Sequence, residues 1–136
     1  MAHNTTTGEA TRAKVVYSSQ LPDLALLKLN KPITSNHTFM LDSDMRQWDR
    51  KSRSSRTVAK PCKGMEVVAI GFGLRHGPTN ITGPLVSRGV VSKVVYDMNQ
   101  PVMLVTTAAV NPGMSGGLVA DAETGSPLGM VISNSQ

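Results

Sequence analysis

Short apolar runs, each about the length of one β-strand, recur along this chain and alternate with turn-forming residues. The first two runs are residues 13–17 and 23–29, and a group containing Ser, Gln and Pro at positions 18–22 separates them. This pattern predicts two adjacent strands. No run repeats its apolar residues at the helical period over three turns, so we predict a mainly β fold.

The second half of the chain continues the same pattern. Residues 65–73 have a β-branched centre flanked by glycines, which indicates a buried strand. The valine-rich residues 85–96 and the apolar residues 101–110 predict a second hairpin. Two further strands are expected at residues 118–121 and 128–133, joined by a polar turn.

A basic segment divides the chain into two parts. Residues 46–63 contain seven Lys or Arg and one Asp, a net charge of +6 in a chain whose formal net charge is +5. The segment is also rich in Ser, so we interpret it as a solvated linker, and we expect no nucleic-acid partner although these charges leave that alternative open. The predicted division is residues 1–45 as the remnant of a first lobe, 46–63 as the linker and 64–136 as a second lobe.

The composition is that of a folded intracellular domain. Apolar residues make up 40% of the 136 positions, which is enough for a packed core. Cys62 is the only cysteine, so no internal disulfide can form and a reducing compartment is expected. The sequence has neither a signal-like N-terminus nor a run of roughly 20 apolar residues, so we expect a soluble protein with no membrane partner.

Residues 111–117, Asn-Pro-Gly-Met-Ser-Gly-Gly, are the strongest candidate for a catalytic motif. A serine hydroxyl attacks a carbonyl efficiently only when a base takes its proton and backbone N–H groups receive the oxyanion. Glycines around Ser115 permit a tight turn in which the N–H groups of Gly113 and Ser115 form such an oxyanion hole. The alternative interpretation is a glycine-rich turn in which a small residue is merely convenient.

Asp23 opens an apolar strand and is the candidate for the carboxylate that orients a catalytic histidine. A solvated turn aspartate beside Pro22 explains the same pattern. The histidines show no pattern of their own, since His3 lies 20 residues before Asp23 and both His37 and His76 fall in predicted loops. We interpret all three as surface histidines.

The motif at 111–117 and the strand at 23–29 resemble the nucleophile loop and the triad-aspartate strand of trypsin-fold serine peptidases without disulfides, the HtrA or Deg type. Segments 64–73, 101–107 and 128–134 are similar to a branch of this family that acts in peroxisomes. The resemblance implies a trypsin-like double β-barrel and a serine endopeptidase that uses no metal or cofactor. It also implies a polypeptide substrate, the presequences of imported peroxisomal proteins, and localisation in the peroxisome.

The sequence departs from that family's pattern in two respects, which changes what we expect of its first lobe and its activity. The family's base histidine is expected before residue 1, and Leu118 stands where the family usually has proline. We therefore expect a truncated first lobe and a chain that is nearly inactive alone, because loss of a triad member leaves roughly a 10³ to 10⁴-fold rate over water. A catalytically inactive binding module of the same fold is the alternative, and a homo-oligomer is left open.

Overall fold

The computed structural model describes the backbone of residues 2–3 and all of residues 10–20, 23–31, 60–73 and 83–132. These ranges contain nine strands and no helix, which confirms the predicted mainly β fold. The chain divides into two compact units, residues 1–38 and 39–136, and each is described by itself. Within the described ranges, no helix has the length and apolarity needed to cross a membrane.

The described residues of the first unit form two antiparallel strand pairs. Strands β1 (Ala2–His3) and β2 (Ala10–Thr11) form the first pair. Strands β3 (Ala13–Gln20) and β4 (Asp23–Leu29) form the second pair. This hairpin confirms the two adjacent strands that the sequence predicts, and its register runs from Ala13 opposite Leu29 to Gln20 opposite Asp23.

The second unit is built on one antiparallel sheet of five strands, ordered β7-β6-β5-β8-β9. The strands are β5 (Glu66–Gly71), β6 (Leu85–Asp97), β7 (Gln100–Thr106), β8 (Leu118–Asp121) and β9 (Pro127–Met130). The central strand β5 pairs with β6 on one side and with β8 on the other. Along β5 the buried residues Val67, Ala69 and Gly71 alternate with half-buried ones, so one face of this strand is turned towards the core.

Strands β6 and β7 form the hairpin that the sequence predicts, and a two-residue turn joins them. Met98 and Asn99 adopt φ angles of 45° and 63° between the paired residues Asp97 and Gln100. Two consecutive positive φ angles are typical of the type I′ turn, whose twist matches that of the flanking strands. The register shifts between Val91 and Lys93, which indicates a bulge where β6 leaves β5 and pairs with β7.

The core of the second unit lies against one face of the sheet and includes residues from the loops beside it. Its buried members are Val67, Ala69, Val91, Ala108, Met114, Val119 and Val131. Three of them, Ala108, Met114 and Val131, lie outside the strands. The core therefore fixes the connection between β7 and β8, which contains the candidate catalytic motif.

Some predicted strands differ from the observed ones at their ends. The strand expected at residues 101–110 ends at Thr106. The N–H of Thr107 still bonds to the carbonyl of Val90, and the backbone of Ala108 then packs directly against Gly89. The less patterned residues 34–45, the basic positions 46–59, and both His37 and His76 lie outside the described residues.

Candidate active site

Residues 111–117, which we call the serine loop, begin with a closed turn. The N–H of Met114 donates to the carbonyl of Asn111 over 3.0 Å. Pro112 is the second residue of this turn, and Gly113 is the third with a φ of 92°. Proline followed by a residue of positive φ is the pattern of a type II turn, in which the third position strongly favours glycine.

A second turn of the same kind follows at once and contains the candidate nucleophile. The N–H of Gly117 donates to the carbonyl of Met114 over 2.8 Å. Ser115 is the second residue of this turn, and Gly116 is the third with a φ of 85°. The two turns share Met114, so the serine loop is a continuous double turn with Ser115 exposed near its middle.

Neighbouring backbone holds the second turn in place. The N–H of Gly116 donates to the carbonyl of Val131 over 2.7 Å, and the N–H of Val131 donates to the carbonyl of Gly117 over 2.8 Å. Gly117 also lies so close to β5 that a Cβ built on it would be 2.6 Å from the carbonyl oxygen of Ile70. Ser115 is therefore presented from a rigid support, as catalytic groups require.

The backbone donors on either side of Met114 are available for a ligand. Within the residues that the structure describes, neither the N–H of Gly113 nor that of Ser115 donates to a protein acceptor. Both residues are exposed. An oxyanion hole requires two such N–H donors directed at one point, and Gly113 and Ser115 are the residues for which the sequence predicts that role.

A hollow of about 270 Å³ lies beside these groups. Ser115, Gly113, Gly116 and Gly117 line one part of it, and the apolar side chains of Ile70, Phe72, Pro84 and Leu118 line another. A larger hollow of about 430 Å³ contains the charged residues Lys63, Glu66 and Glu123 and shares no lining residue with the first. We assign the candidate site to the smaller hollow, because it is lined by the candidate nucleophile Ser115 and by Gly113, whose N–H groups have no acceptor within the described residues.

The remaining predicted site residues lie in the first unit. Asp23 is exposed and is the first residue of β4, opposite Gln20. His3 is the second residue of β1, opposite Ala10. The structure therefore brings Gly113 and Ser115 together in one loop, while the pairing of Asp23 with Ser115 and the identity of a base histidine stay predictions.

Two further residues shape the loop, Met114 and Val131, and neither is among the site residues predicted from the sequence. Met114 is 1% exposed and its backbone closes both turns. The signal for Met114 is a large apolar residue between Gly113 and Ser115, in a loop where solvent-exposed polar residues are expected. Val131 carries no such signal, because its hydrogen bonds with the serine loop depend on the tertiary fold.

The chain is similar to known proteins over part or most of its length. A family model described as "Trypsin-like peptidase domain" matches residues 2–130. Over 74 residues the chain is 40% identical to the peroxisomal leader peptide-processing protease of Homo sapiens, and it is 40% identical over the same length to that of Mus musculus. Each match spans 54% of this chain and 12% of the relative, so the chain corresponds to a small part of those proteins.

Proposed function

The chain belongs to the trypsin-like peptidase domain family, and on that premise we propose that it carries the nucleophile-bearing part of a serine endopeptidase. One observation supports this proposal above the others. The double turn of residues 111–117 presents an exposed serine beside two backbone N–H groups that have no acceptor in the described part of the chain. A serine in a plain structural turn has no need of two free donors beside it.

In the proposed mechanism the hydroxyl of Ser115 attacks the carbonyl carbon of the scissile peptide bond. A histidine takes the hydroxyl proton and later gives it to the leaving amine. The N–H groups of Gly113 and Ser115 donate to the oxyanion of the tetrahedral intermediate. Asp23 accepts a hydrogen bond from the histidine ring, which fixes the tautomer and stabilises the imidazolium.

The substrates we propose are leader peptides of peroxisomal proteins, and the proposed location is the peroxisome. The support is the similarity to the two relatives, each of which is named a peroxisomal leader peptide-processing protease. The apolar wall of the hollow beside Ser115 supports a substrate with an apolar side chain near the cleaved bond. Cleavage of an extended polypeptide also fits an exposed serine, which a large substrate can reach.

The test measures peptide cleavage by the protein isolated from the cells that produce it. The variants Ser115→Ala and Ser92→Ala are measured in the same way. Ser92 is an exposed serine of β6 and is the matched control. A peptide that spans the leader of a peroxisomal protein is incubated with each, and the fragments are identified by mass spectrometry. We expect the wild type and Ser92→Ala to cleave at one site, and Ser115→Ala to lose about 10⁶-fold in kcat.

A scrambled peptide of the same composition tests the substrate class. Equal cleavage of both peptides would contradict the proposed leader specificity, and undiminished cleavage by Ser115→Ala would contradict the nucleophile. Binding of the leader peptide without any cleavage would support the catalytically inactive module instead.

A further inference from the structure

Met114 is buried in a part of the chain that is otherwise open to solvent. Its side chain is 1% exposed, whereas Gly113 and Ser115 on either side are exposed. Together with Val67 and Val91 it is one of the largest fully buried side chains among the described residues. The serine loop is therefore anchored to the core through the residue that separates the two free N–H donors.

The backbone of Met114 takes part in both turns of the serine loop. Its N–H closes the first turn on the carbonyl of Asn111, and its carbonyl closes the second turn with the N–H of Gly117. The donor of Ser115 lies in the peptide group directly after Met114, and the donor of Gly113 lies in the Pro112–Gly113 peptide group, on the far side of Gly113. Any rotation of Met114 changes the direction of the Ser115 N–H, because that group belongs to the peptide bond formed by the Met114 carbonyl.

The side chain adds a specific contact to this burial. The thioether sulfur Sδ of Met114 accepts the N–H of Asn111 over 3.3 Å. The same side chain fills the space beside Gly73, where a Cβ would lie 2.9 Å from its Cγ. The sulfur thus satisfies the first donor of the serine loop, and the packing against Gly73 leaves the side chain little freedom to rotate.

We propose that Met114 is the positioning residue of the active site, which holds the N–H groups of Gly113 and Ser115 in the relative orientation that the oxyanion needs. The proposal rests on the proposed peptidase function. The side chain of Met114 carries no charge, so it can hold the N–H groups of Gly113 and Ser115 only through its packing and its thioether contact. A residue that only fills the core would support stability, without any effect on the direction of these two N–H groups.

The test compares Met114→Leu with Met103→Leu in the whole protein. Leucine keeps the apolar volume, which cores tolerate well, and it removes the sulfur acceptor. Met103 is a half-exposed methionine of β7 and is the matched control. The measurements are the melting temperature, kcat and KM on a cleaved peptide, and the N–H residual dipolar couplings of Gly113 and Ser115, which report the orientation of each bond.

For Met114→Leu we expect a kcat about 10 to 100-fold lower with KM changed less than about two-fold, because misplaced groups slow the chemical step. The couplings of Gly113 and Ser115 change, while the melting temperature stays within a few degrees of the wild type. Met103→Leu leaves all of these quantities unchanged. An unaltered kcat in Met114→Leu would overturn the inference, although the wild-type activity would still support the proposed function.

The two proposals fail in different ways. If the wild type cleaves no peptide, the proposed function fails, and the dipolar couplings alone decide whether Met114 positions the two donors. Unchanged couplings in a folded Met114→Leu would overturn the positioning role in that case. Changed couplings at Gly113 and Ser115, with unchanged couplings in strands β5 and β8, would support it.

Discussion

The N–H of Gly116 donates to the carbonyl oxygen of Val131 over 2.7 Å, and this bond ties the residue after Ser115 to the chain beyond β9. The N–H of Val131 returns a bond to Gly117 over 2.8 Å. Because the serine loop is held by reciprocal bonds to a buried segment, its shape depends on the core of the second unit. Substitutions that move this contact should therefore affect stability and activity together.

Gly117→Ala is expected to destabilise the second unit. The new Cβ would lie 2.6 Å from the carbonyl oxygen of Ile70 and 2.8 Å from that of Met114, so the serine loop has to move away from β5. Overpacking of this kind costs about 1–3 kcal/mol. The free energy of unfolding in urea measures the loss, and we expect peptidase activity to fall with it.

Gly125→Ala is the matched control for that variant. Gly125 has a φ of 71°, but a Cβ there meets nothing within 4 Å. We expect it to lose about 1–2 kcal/mol through backbone strain alone, with kcat unchanged. A Gly117→Ala protein that is as stable and as active as the wild type would show that the close approach of the loop to β5 is unimportant.

Asp23→Asn tests the predicted partner of the base histidine. An amide cannot stabilise an imidazolium and favours the wrong tautomer, so kcat should fall about 10⁴-fold while substrate binding changes little. Steady-state kinetics on a cleaved leader peptide give both quantities. Asp97→Asn, which removes an exposed carboxylate at the end of β6, is expected to keep full activity. Equal activity of the two variants would remove Asp23 from the mechanism.

Asp121 makes the stability of the second unit depend on pH. The hydroxyl of Thr124 donates to its Oδ2 over 2.6 Å, and the N–H of Glu123 donates to its Oδ1 over 3.0 Å. These hydrogen bonds, that of Thr124 first, lower the pKa of Asp121 below its ordinary value of 3.8. The charged carboxylate therefore stabilises the fold above the unfolded pKa of about 3.9, and this contribution is lost as the pH falls through the lower folded value.

The measurement is urea unfolding of the wild type and Asp121→Asn between pH 7 and pH 3. We expect the wild type to be the more stable protein at pH 7, and the difference to shrink below about pH 4, where the unfolded carboxyl group takes up its proton. Glu123→Gln removes a neighbouring exposed carboxylate and controls for net charge. A stability difference that is the same at every pH would contradict this account of Asp121.

The apolar runs of the sequence locate the strands, but they do not by themselves show which side chains are buried, since Leu26 and Val102 in two of these runs are exposed. The strand at residues 118–121 has the predicted bounds, because its apolar run is flanked by glycine and a polar turn. Ala108 is also buried as its apolar character suggests, but it lies in a loop. The apolar run at residues 101–110 continues beyond the end of β7, because the core includes Ala108 from the loop that follows.

Only a part of the candidate site could be predicted from the sequence. The double turn around Ser115 could be predicted, because its positive φ angles are a local property of Gly113 and Gly116. The support from Val131 could not, because it depends on residues that are distant in sequence. A base histidine is equally hard to predict, since only the tertiary fold decides which imidazole reaches the serine.

The most direct test of the central claim is to locate the adduct of a fluorophosphonate, which reacts with serines activated by a base and an oxyanion hole. The protein isolated from the cells that produce it and its Ser115→Ala and Ser92→Ala variants are treated, digested and analysed by mass spectrometry. Our account predicts one adduct, on Ser115, which is present in the wild type and in Ser92→Ala and absent from Ser115→Ala. An adduct on a different serine, or no adduct on Ser115 in the wild type, would contradict it.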